Sequence, residues 1–289
     1  MPFTSGMTNV RSAELRDVAQ QVADAIPLEI VEEVVLTGSV SRGVADEVSD
    51  IEMLIVTSRA LALSRCFELA GAAGLAELDT WGPRGGPARR VFGFREDIPV
   101  ELVWWSREHA EASVAALFRG EAPSAADALA YGVPLRTSGL LALWQERLTD
   151  FPAELAAARI EEAALTWGGY AAAGLLTLAR PGERLALVER MVDDVSRVVR
   201  IVYALNRVWQ PTHKRLASRI DELPLKPARF AERIEAALTE PNPYRALLTL
   251  TELQAETVAI APDGPNIERA RRWLAAAREV LVTAKPGPA

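Results

Sequence analysis

Two carboxylates stand one residue apart in the apolar segment Asp50-Ile51-Glu52-Met53-Leu54-Ile55-Val56. On a β-strand, side chains alternate between the two faces, so Asp50 and Glu52 share one face and the apolar Ile51 points to the other. Two acids side by side repel each other and do not stabilise a sheet. A divalent cation removes that conflict, because carboxylate oxygens are ligands that magnesium prefers. The pair therefore predicts a metal site on a strand.

A Gly-Ser pair precedes these acids. The apolar run Val34-Val35-Leu36 leads into Gly38 and Ser39, and ten residues separate Ser39 from Asp50. Glycine lets the backbone approach a bound group closely, and backbone amides at such a turn bind phosphate oxygens. A phosphate-binding turn beside a metal-binding pair of acids predicts a site for a magnesium nucleotide.

A third acid, Glu101, lies inside the apolar segment Val100–Trp105. Strand alternation puts Val100 and Trp104 on one face and Glu101 on the other. A lone acid in a strand is commonly a rim or edge residue, and this is the alternative interpretation. If the two acidic strands are neighbours in one sheet, three carboxylates converge on one side, enough to hold two magnesium ions together with substrate phosphates.

The chain around these acids predicts an α+β fold. After Ser106 we find only helical periodicity, so a catalytic domain of residues 1–119, a mixed sheet flanked by helices, precedes an all-α helical bundle domain of residues 120–289. Ser12 is the candidate N-cap of a first helix. The other elements predicted in the first domain are strands at Ile30–Leu36, Asp50–Thr57, Arg90–Arg95 and Pro99–Trp105, and a helix at Ala60–Ala73.

Gly38-Ser39, ten residues and then Asp50-Ile51-Glu52 resembles the signature of the DNA polymerase beta-type nucleotidyltransferase superfamily. The extended form, from Gly38 to Gly43 with Ser49-Asp50 closing the segment, is similar to small bacterial members that modify antibiotics. The segments Tyr131–Leu135 and Leu205-Asn206-Arg207 are similar to the helical domain found beside bacterial nucleotidyltransferases. The resemblance covers about the first 110 residues for the catalytic domain.

The resemblance implies a role for each matching residue. Asp50 and Glu52 would ligate two magnesium ions, and Glu101 would complete the ion nearest the attacking hydroxyl. Gly38 would let the backbone approach the triphosphate, to which Ser39 would offer its amide and hydroxyl. Arg42 is a candidate for neutralising phosphate charge, and its alternative interpretation is a solvated arginine in a helix.

The helical half carries a compact cationic group in which Lys214 and Arg215 follow Arg207. One interpretation is a helix end, where cations are favoured by the carbonyls and the helix dipole. The other places Lys214 or Arg215 over the nucleotide triphosphate, across a cleft. The pair Asp193-Asp194 also has two interpretations, a solvated face or a contact with a cationic acceptor.

The composition limits the partners. The formal net charge of −7 over 289 residues argues against a broad grip on long nucleic acid, and the single cysteine excludes an intramolecular disulfide. No apolar run is long enough to span a bilayer, and the N-terminus lacks the features of a signal peptide. We expect a cytoplasmic protein without a membrane partner; the oligomeric state stays open.

Three functions are compatible with these residues. The first is a magnesium-dependent enzyme that moves a nucleoside monophosphate, AMP from ATP, onto a hydroxyl of a small molecule, which the resemblance suggests is aminoglycoside- or lincosamide-like. The second is a toxin–antitoxin-type nucleotidyltransferase that acts on tRNA or a partner protein, although the negative charge counts against tRNA. The third is a degenerate nucleotide-binding module, and the presence of all three acids counts against it.

Overall fold

The computed structural model describes residues 9–82, 86–121, 124–168, 172–212 and 214–284. The chain divides into two compact units, Met1–Asp150 and Phe151–Ala289. The described part of the first unit combines a mixed sheet with helices, and that of the second is helical, so the fold class is α+β as predicted. The predicted boundary between residues 119 and 120 lies before the last strand of the sheet rather than after it.

One mixed sheet organises the first unit. Its strands are β1 (Val31–Leu36), β2 (Ile51–Thr57), β3 (Ala76–Asp79), β4 (Arg89–Arg95), β5 (Ile98–Ser106) and β6 (Val133–Thr137). In the part of the chain that the structure describes, they form a six-stranded sheet in the order β3-β4-β5-β2-β1-β6. The central strands β2 and β5 are parallel, and every other neighbouring pair is antiparallel.

Helices pack against this sheet. The helices of the first unit are α1 (Val10–Ala25), α2 (Gly38–Ser41), α3 (Leu63–Ala72), α4 (Arg107–Phe118), α5 (Ala125–Leu129) and α6 (Leu140–Leu148). Buried residues of α1 and α3, such as Leu15 and Leu69, share a core with Ile51 of β2 and with Val100 and Leu102 of β5. Because strand side chains alternate, this core fixes Glu52 and Glu101 on the opposite face.

The N-terminus of α1 differs from the prediction. Asn9 caps the helix, its side chain accepting a hydrogen bond from the backbone N–H of Ser12, so the prediction that Ser12 is the cap is wrong. The Ser12 hydroxyl is buried and accepts a hydrogen bond from the N–H of Ala45, while the Asn9 amide donates to the carbonyl of Ala45. Both polar side chains thus join α1 to the loop that leads to β2.

Strand β6 also differs from the prediction. The expectation of only helices after Ser106 is wrong for Val133–Thr137, which pairs with β1 at the edge of the sheet. Pro134 lacks a backbone N–H, and such a residue is tolerated at a sheet edge but is a poor local signal for a strand. The pairing with a strand about a hundred residues earlier, which no short-range pattern encodes, decides the structure here.

The described part of the second unit consists of helices. They are α7 (Ala153–Ala164), a 3-10 turn (Ala172–Gly174), α8 (Leu175–Leu178), α9 (Arg184–Leu205), α10 (Leu216–Asp221), α11 (Phe230–Thr239), α12 (Pro243–Ala259) and α13 (Pro265–Thr283). The 22-residue helix α9 packs against α7 and α12. Within the described residues, no helix combines the length and the apolar character needed to cross a membrane.

Candidate active site

Glu52 and Glu101 lie directly opposite each other on the parallel strands β2 and β5. Neighbouring strands are about 4.8 Å apart, so two side chains at paired positions share one face and stand side by side. The strands that carry the acids are therefore neighbours, as the interpretation of three converging acids requires. Both residues are half-buried, with the Glu101 side chain 15% exposed.

Asp50 immediately precedes β2 and is also half-buried. The residues before it are fixed by local bonds: the Ser49 hydroxyl donates to Asp46 Oδ1 at 2.7 Å and accepts from the Asp46 N–H at 2.9 Å. This turn brings the chain into β2 at a defined point. Asp50 thus lies just outside the strand, two residues before Glu52, and the shared face that this spacing predicts stays a prediction.

The Gly-Ser turn lies against the acidic pair. Gly38 adopts the left-handed region at φ +68°, and a Cβ atom there would overlap Oε2 of Glu52. The preceding residue, Thr37, donates both its N–H (2.9 Å) and its hydroxyl (3.2 Å) to the carbonyl of Glu52. Glycine is required at residue 38 because it accepts this backbone conformation and leaves room for the carboxylate. The half-buried Ser39 follows directly.

Arg42 does not point freely into solvent. Its side chain is 11% exposed, and Nη1 lies 3.3 Å from Oδ1 of Asp127 in α5, which is 14% exposed. The interpretation of Arg42 as a solvated arginine is therefore wrong. Its assignment to the nucleotide phosphates stays a prediction, and the ion pair gives it a structural function that the sequence did not indicate.

Glu101 has a basic neighbour that the sequence prediction missed. Arg90 of β4 places Nη1 3.4 Å from Glu101 Oε1, and its guanidinium lies 4.2 Å from the ring centre of Trp81. The side chains of Glu101, Arg90 and Trp81 thus form a continuous row that leads from Glu52 and Glu101 towards the outer strands of the sheet. The available signal was the run Ala88-Arg89-Arg90 at the start of a strand, but only the diagonal position of Arg90 across the β4–β5 pair brings it to Glu101.

The donor set suits magnesium in chemical type, since all three acids offer hard oxygen ligands. The in-register pair Glu52 and Glu101, with the close approach of Gly38 to Glu52, fits an oxygen-ligated cation. Among the described residues, however, no group of three or more His, Cys, Asp or Glu side chains is gathered closely enough to enclose a metal ion. Ligation by Asp50, Glu52 and Glu101 together stays a prediction.

The candidate residues of the second unit differ in their exposure to solvent. Lys214 is exposed and lies just before α10, and its contact with a nucleotide stays a prediction. Asp194 is buried, accepts from Trp167 Nε1 at 2.8 Å and pairs with Arg190 Nε at 2.7 Å, so the interpretation of the Asp193-Asp194 pair as a solvated face is wrong for Asp194. Burial raises the pKa of Asp194 above its ordinary value, although Arg190 opposes the shift.

A buried acid that the sequence prediction did not identify is Glu33 of β1, whose side chain is fully enclosed. Its Oε1 accepts from the Thr137 hydroxyl, the N–H and hydroxyl of Ser138 and the N–H of Leu140, at 2.8–3.1 Å. Glu33 therefore ties β1 to β6 and to the first turn of α6. We interpret it as an anchor of the sheet.

Comparisons with known proteins add little to this geometry. No protein-family model matches the chain, and no curated protein matches it. It is similar to a crystal structure of a nucleotidyltransferase-like protein from Exiguobacterium sibiricum 255-15, with 12% sequence identity and a TM-score of 0.28; the match covers 94% of this chain and 75% of that chain. At that TM-score the likeness carries no argument about fold or activity.

Proposed function

We propose that the chain is a magnesium-dependent nucleotidyltransferase that moves a nucleoside monophosphate, AMP from ATP, onto a hydroxyl of a small molecule. The observation that carries the proposal is the register of Glu52 and Glu101 on parallel strands, with Gly38 packed on the Glu52 carboxylate. Like charges placed side by side are unfavourable in a sheet. Arg90 offsets part of the charge on Glu101, but a pair of acids kept in that position beside a glycine turn is a pattern suited to a cation and a phosphate.

In the proposed reaction, the acceptor oxygen forms a bond to the α-phosphorus, and the bond from that phosphorus to the bridging oxygen of pyrophosphate breaks. The acceptor hydroxyl loses its proton to solvent water, and pyrophosphate leaves with the bonding electrons. Bound magnesium would neutralise charge on the attacking and leaving oxygens. Asp50, Glu52 and Glu101 would hold it, while Gly38 and Ser39 would present the backbone to the triphosphate.

Two cations are proposed to act on phosphate charge. Arg42 lies three residues after Ser39, within reach of the same turn, and Asp127 fixes its guanidinium. Lys214, from the second unit, is the other candidate for the triphosphate. Aminoglycoside- and lincosamide-like compounds are the acceptors that the sequence resemblance suggests, and a cytoplasmic location is part of the same proposal.

The test is nucleotide transfer by the purified full-length chain. It is incubated with Mg²⁺, each of ATP, GTP, CTP and UTP, and a panel of hydroxyl compounds, and adducts are identified by mass spectrometry. We expect Asp50→Asn and Glu52→Gln each to lower the rate at least about a hundredfold, because metal ions supply several kcal/mol of transition-state stabilisation. The matched control is Glu68→Gln, an exposed acid of α3 paired with Arg65.

Transfer that survives in the double variant Asp50→Asn, Glu52→Gln would contradict the metal assignment. Magnesium-dependent ATP binding without transfer across the whole panel would favour a nucleotide-binding module. A thermal melt with and without Mg²⁺ separates these cases from misfolding: wild type should melt higher with Mg²⁺ and ATP, and the double variant should not.

A further inference from the structure

An exposed tryptophan lies beyond the acidic pair. Trp81 is 58% exposed, and the Arg90 guanidinium lies over its ring at 4.2 Å. Arg90 is fixed from the other side by Glu101 at 3.4 Å. An arginine over an indole face is a favourable cation–π contact, and it holds the ring in one orientation. More than half of Trp81 nevertheless stays open to solvent beside the candidate site.

The order of the strands indicates on which side of the reacting phosphorus Trp81 lies. This inference rests on the proposed function. Across the sheet, the turn at Gly38 follows β1, Glu52 lies on β2, Glu101 on β5 and Arg90 on β4. An in-line displacement puts the attacking and leaving oxygens on opposite sides of the phosphorus. With the triphosphate at Gly38, the pyrophosphate leaves on the β1 side, so the acceptor arrives on the side of β5 and β4.

The β4 side is suited to a flat ring without positive charge. Phe92 is directly opposite Glu101 on β4, and it contacts Phe94 edge to face with ring centres 5.4 Å apart. A cavity of about 180 Å³ opens beside Trp81 and Arg90, at the end of the sheet where Leu63 of α3 also lines it; its volume is comparable to that of an apolar cavity of about 150 Å³ that accepts a benzene ring. Arg89 and Arg90 both line this cavity, and two guanidinium groups raise the cost of bringing a further cation there, although Glu101 offsets part of the charge of Arg90.

We propose that Trp81 is the acceptor-binding residue of this site: its exposed ring stacks on a sugar or aromatic ring of a hydroxyl compound that carries no net positive charge. Arg90 is a positioning residue that orients Trp81 and holds Glu101. The acceptor class is therefore a neutral or anionic ring-bearing molecule. This narrows the acceptors that the sequence resemblance suggests, because it disfavours a polycationic aminoglycoside.

The test uses the full-length protein with three probes: phenyl β-D-glucoside (neutral), phenyl β-D-glucuronide (anionic) and kanamycin (polycationic). Titration is followed by tryptophan fluorescence in wild type and in Trp81→Phe, which retains a ring but removes the Trp81 signal. We expect the glucoside to quench wild type more than Trp81→Phe. We expect Trp81→Ala to weaken glucoside binding about tenfold, which corresponds to about 1.4 kcal/mol for the loss of one stacking contact.

Two further measurements assign the roles. For transfer to the glucoside, Trp81→Ala should raise KM for the glucoside about tenfold and leave KM for ATP unchanged, while Trp81→Phe recovers most of the loss. Arg90→Gln should tighten kanamycin binding and weaken glucuronide binding. Arg65→Gln, which removes the same charge from an exposed site on α3, should change neither. Thermal melts verify that each variant is folded.

Equal quenching in wild type and Trp81→Phe would overturn the proposal, as would kanamycin binding more tightly than both glycosides, or no binding of any probe. A rise in KM for ATP alone would place the nucleobase, rather than the acceptor, on Trp81. Fluorescence requires no transfer, so the two hypotheses can fail separately. If the glucoside quenches Trp81 but wild type transfers no nucleotide to any acceptor, nucleotidyl transfer is refuted and the ring-binding site remains.

Discussion

Gly38 lies directly against the carboxylate of Glu52: a Cβ atom at residue 38 would overlap Oε2 and come within 3.0 Å of Cδ. The turn after β1 and the acidic strand β2 therefore lie in direct contact at Oε2 of Glu52. Any other residue at position 38 must displace the Glu52 side chain. This contact joins the proposed phosphate-binding turn to the proposed metal ligand. A substitution in the turn should therefore also disturb the metal ligand.

We expect Gly38→Ala to lower the free energy of unfolding and to weaken magnesium-dependent ATP binding. The left-handed backbone costs about 1–2 kcal/mol in a residue with a Cβ, and the added Cβ forces the Glu52 carboxylate to turn away from its position, which displaces the proposed metal ligand. Urea denaturation and ATP titration measure the two effects. Gly139→Ala is the matched control, since Gly139 has φ +99° and nothing lies within 4 Å of its added Cβ. It should lose stability without weakening ATP binding; equal ATP affinity in both variants would contradict the coupling.

Local periodicity was sufficient to predict the central strands. The sequence of β5 alternates with a period of two: Val100, Leu102 and Trp104 are apolar, and Glu101 lies between them. In the structure the three apolar residues are buried on one face. The two-residue spacing of Asp50 and Glu52 follows the same period. These features depend only on neighbours in the chain, which is why they could be read without knowing the sheet order.

Features that depend on distant pairings could not be predicted in this way. The Glu33 carboxylate accepts a hydrogen bond from the N–H of Leu140, which lies 107 residues later in the sequence. Arg90 donates a hydrogen bond to Glu101 only because β4 and β5 pair in one particular register. Strand β6 forms although Pro134 removes a backbone donor. In each case the partner fixes the conformation, and the local sequence carries no matching signal.

We expect Arg42→Gln to destabilise the protein by about 2 kcal/mol or more, because it removes the Arg42 charge from an ion pair whose two side chains are both largely buried. The double variant with Asp127→Asn should recover part of that loss, with a coupling energy of about 1–3 kcal/mol. Urea denaturation of the four proteins measures the cycle. The control is Arg119→Gln: its pair with Glu121 is exposed on both sides and should be worth less than about 1 kcal/mol.

The same variants show whether Arg42 also touches the nucleotide. If Arg42 contacts phosphate, saturating ATP and Mg²⁺ should stabilise Asp127→Asn but not Arg42→Gln. Equal stabilisation of both would restrict Arg42 to a structural role between α2 and α5.

Glu33→Gln should cost about 1.5–3 kcal/mol of stability, because an amide oxygen replaces a charged acceptor that takes hydrogen bonds from β6 and the start of α6. Amide hydrogen exchange at Ser138 and Leu140 should accelerate in the variant. The neighbouring Glu32→Gln is the control, since Glu32 makes a 3.5 Å pair with the exposed Arg107. Equal losses at residues 32 and 33 would contradict the anchor role of Glu33.

Cys66 should report opening of the first unit. It is the single cysteine of the chain, it is fully buried in the core beside α1 and the sheet, and burial raises the pKa of its thiol to about 11. At pH 8 only about one thiol in a thousand is then ionised, so a thiol reagent should react at the rate at which this core opens. Fast labelling in buffer, at the rate seen in urea, would contradict the burial of Cys66.

The raised pKa of the Cys66 thiol also gives a pH dependence with a defined sign. The folded state binds this proton more tightly than the unfolded state, whose thiol pKa is near 9.0. The contribution to stability is therefore complete below pH 9 and is lost as the pH rises toward 11. Cys66→Ala lacks the titrating thiol, so it should lose less stability than wild type over that interval, measured by urea denaturation at each pH. An equal decline in both proteins would assign the alkaline loss to other groups.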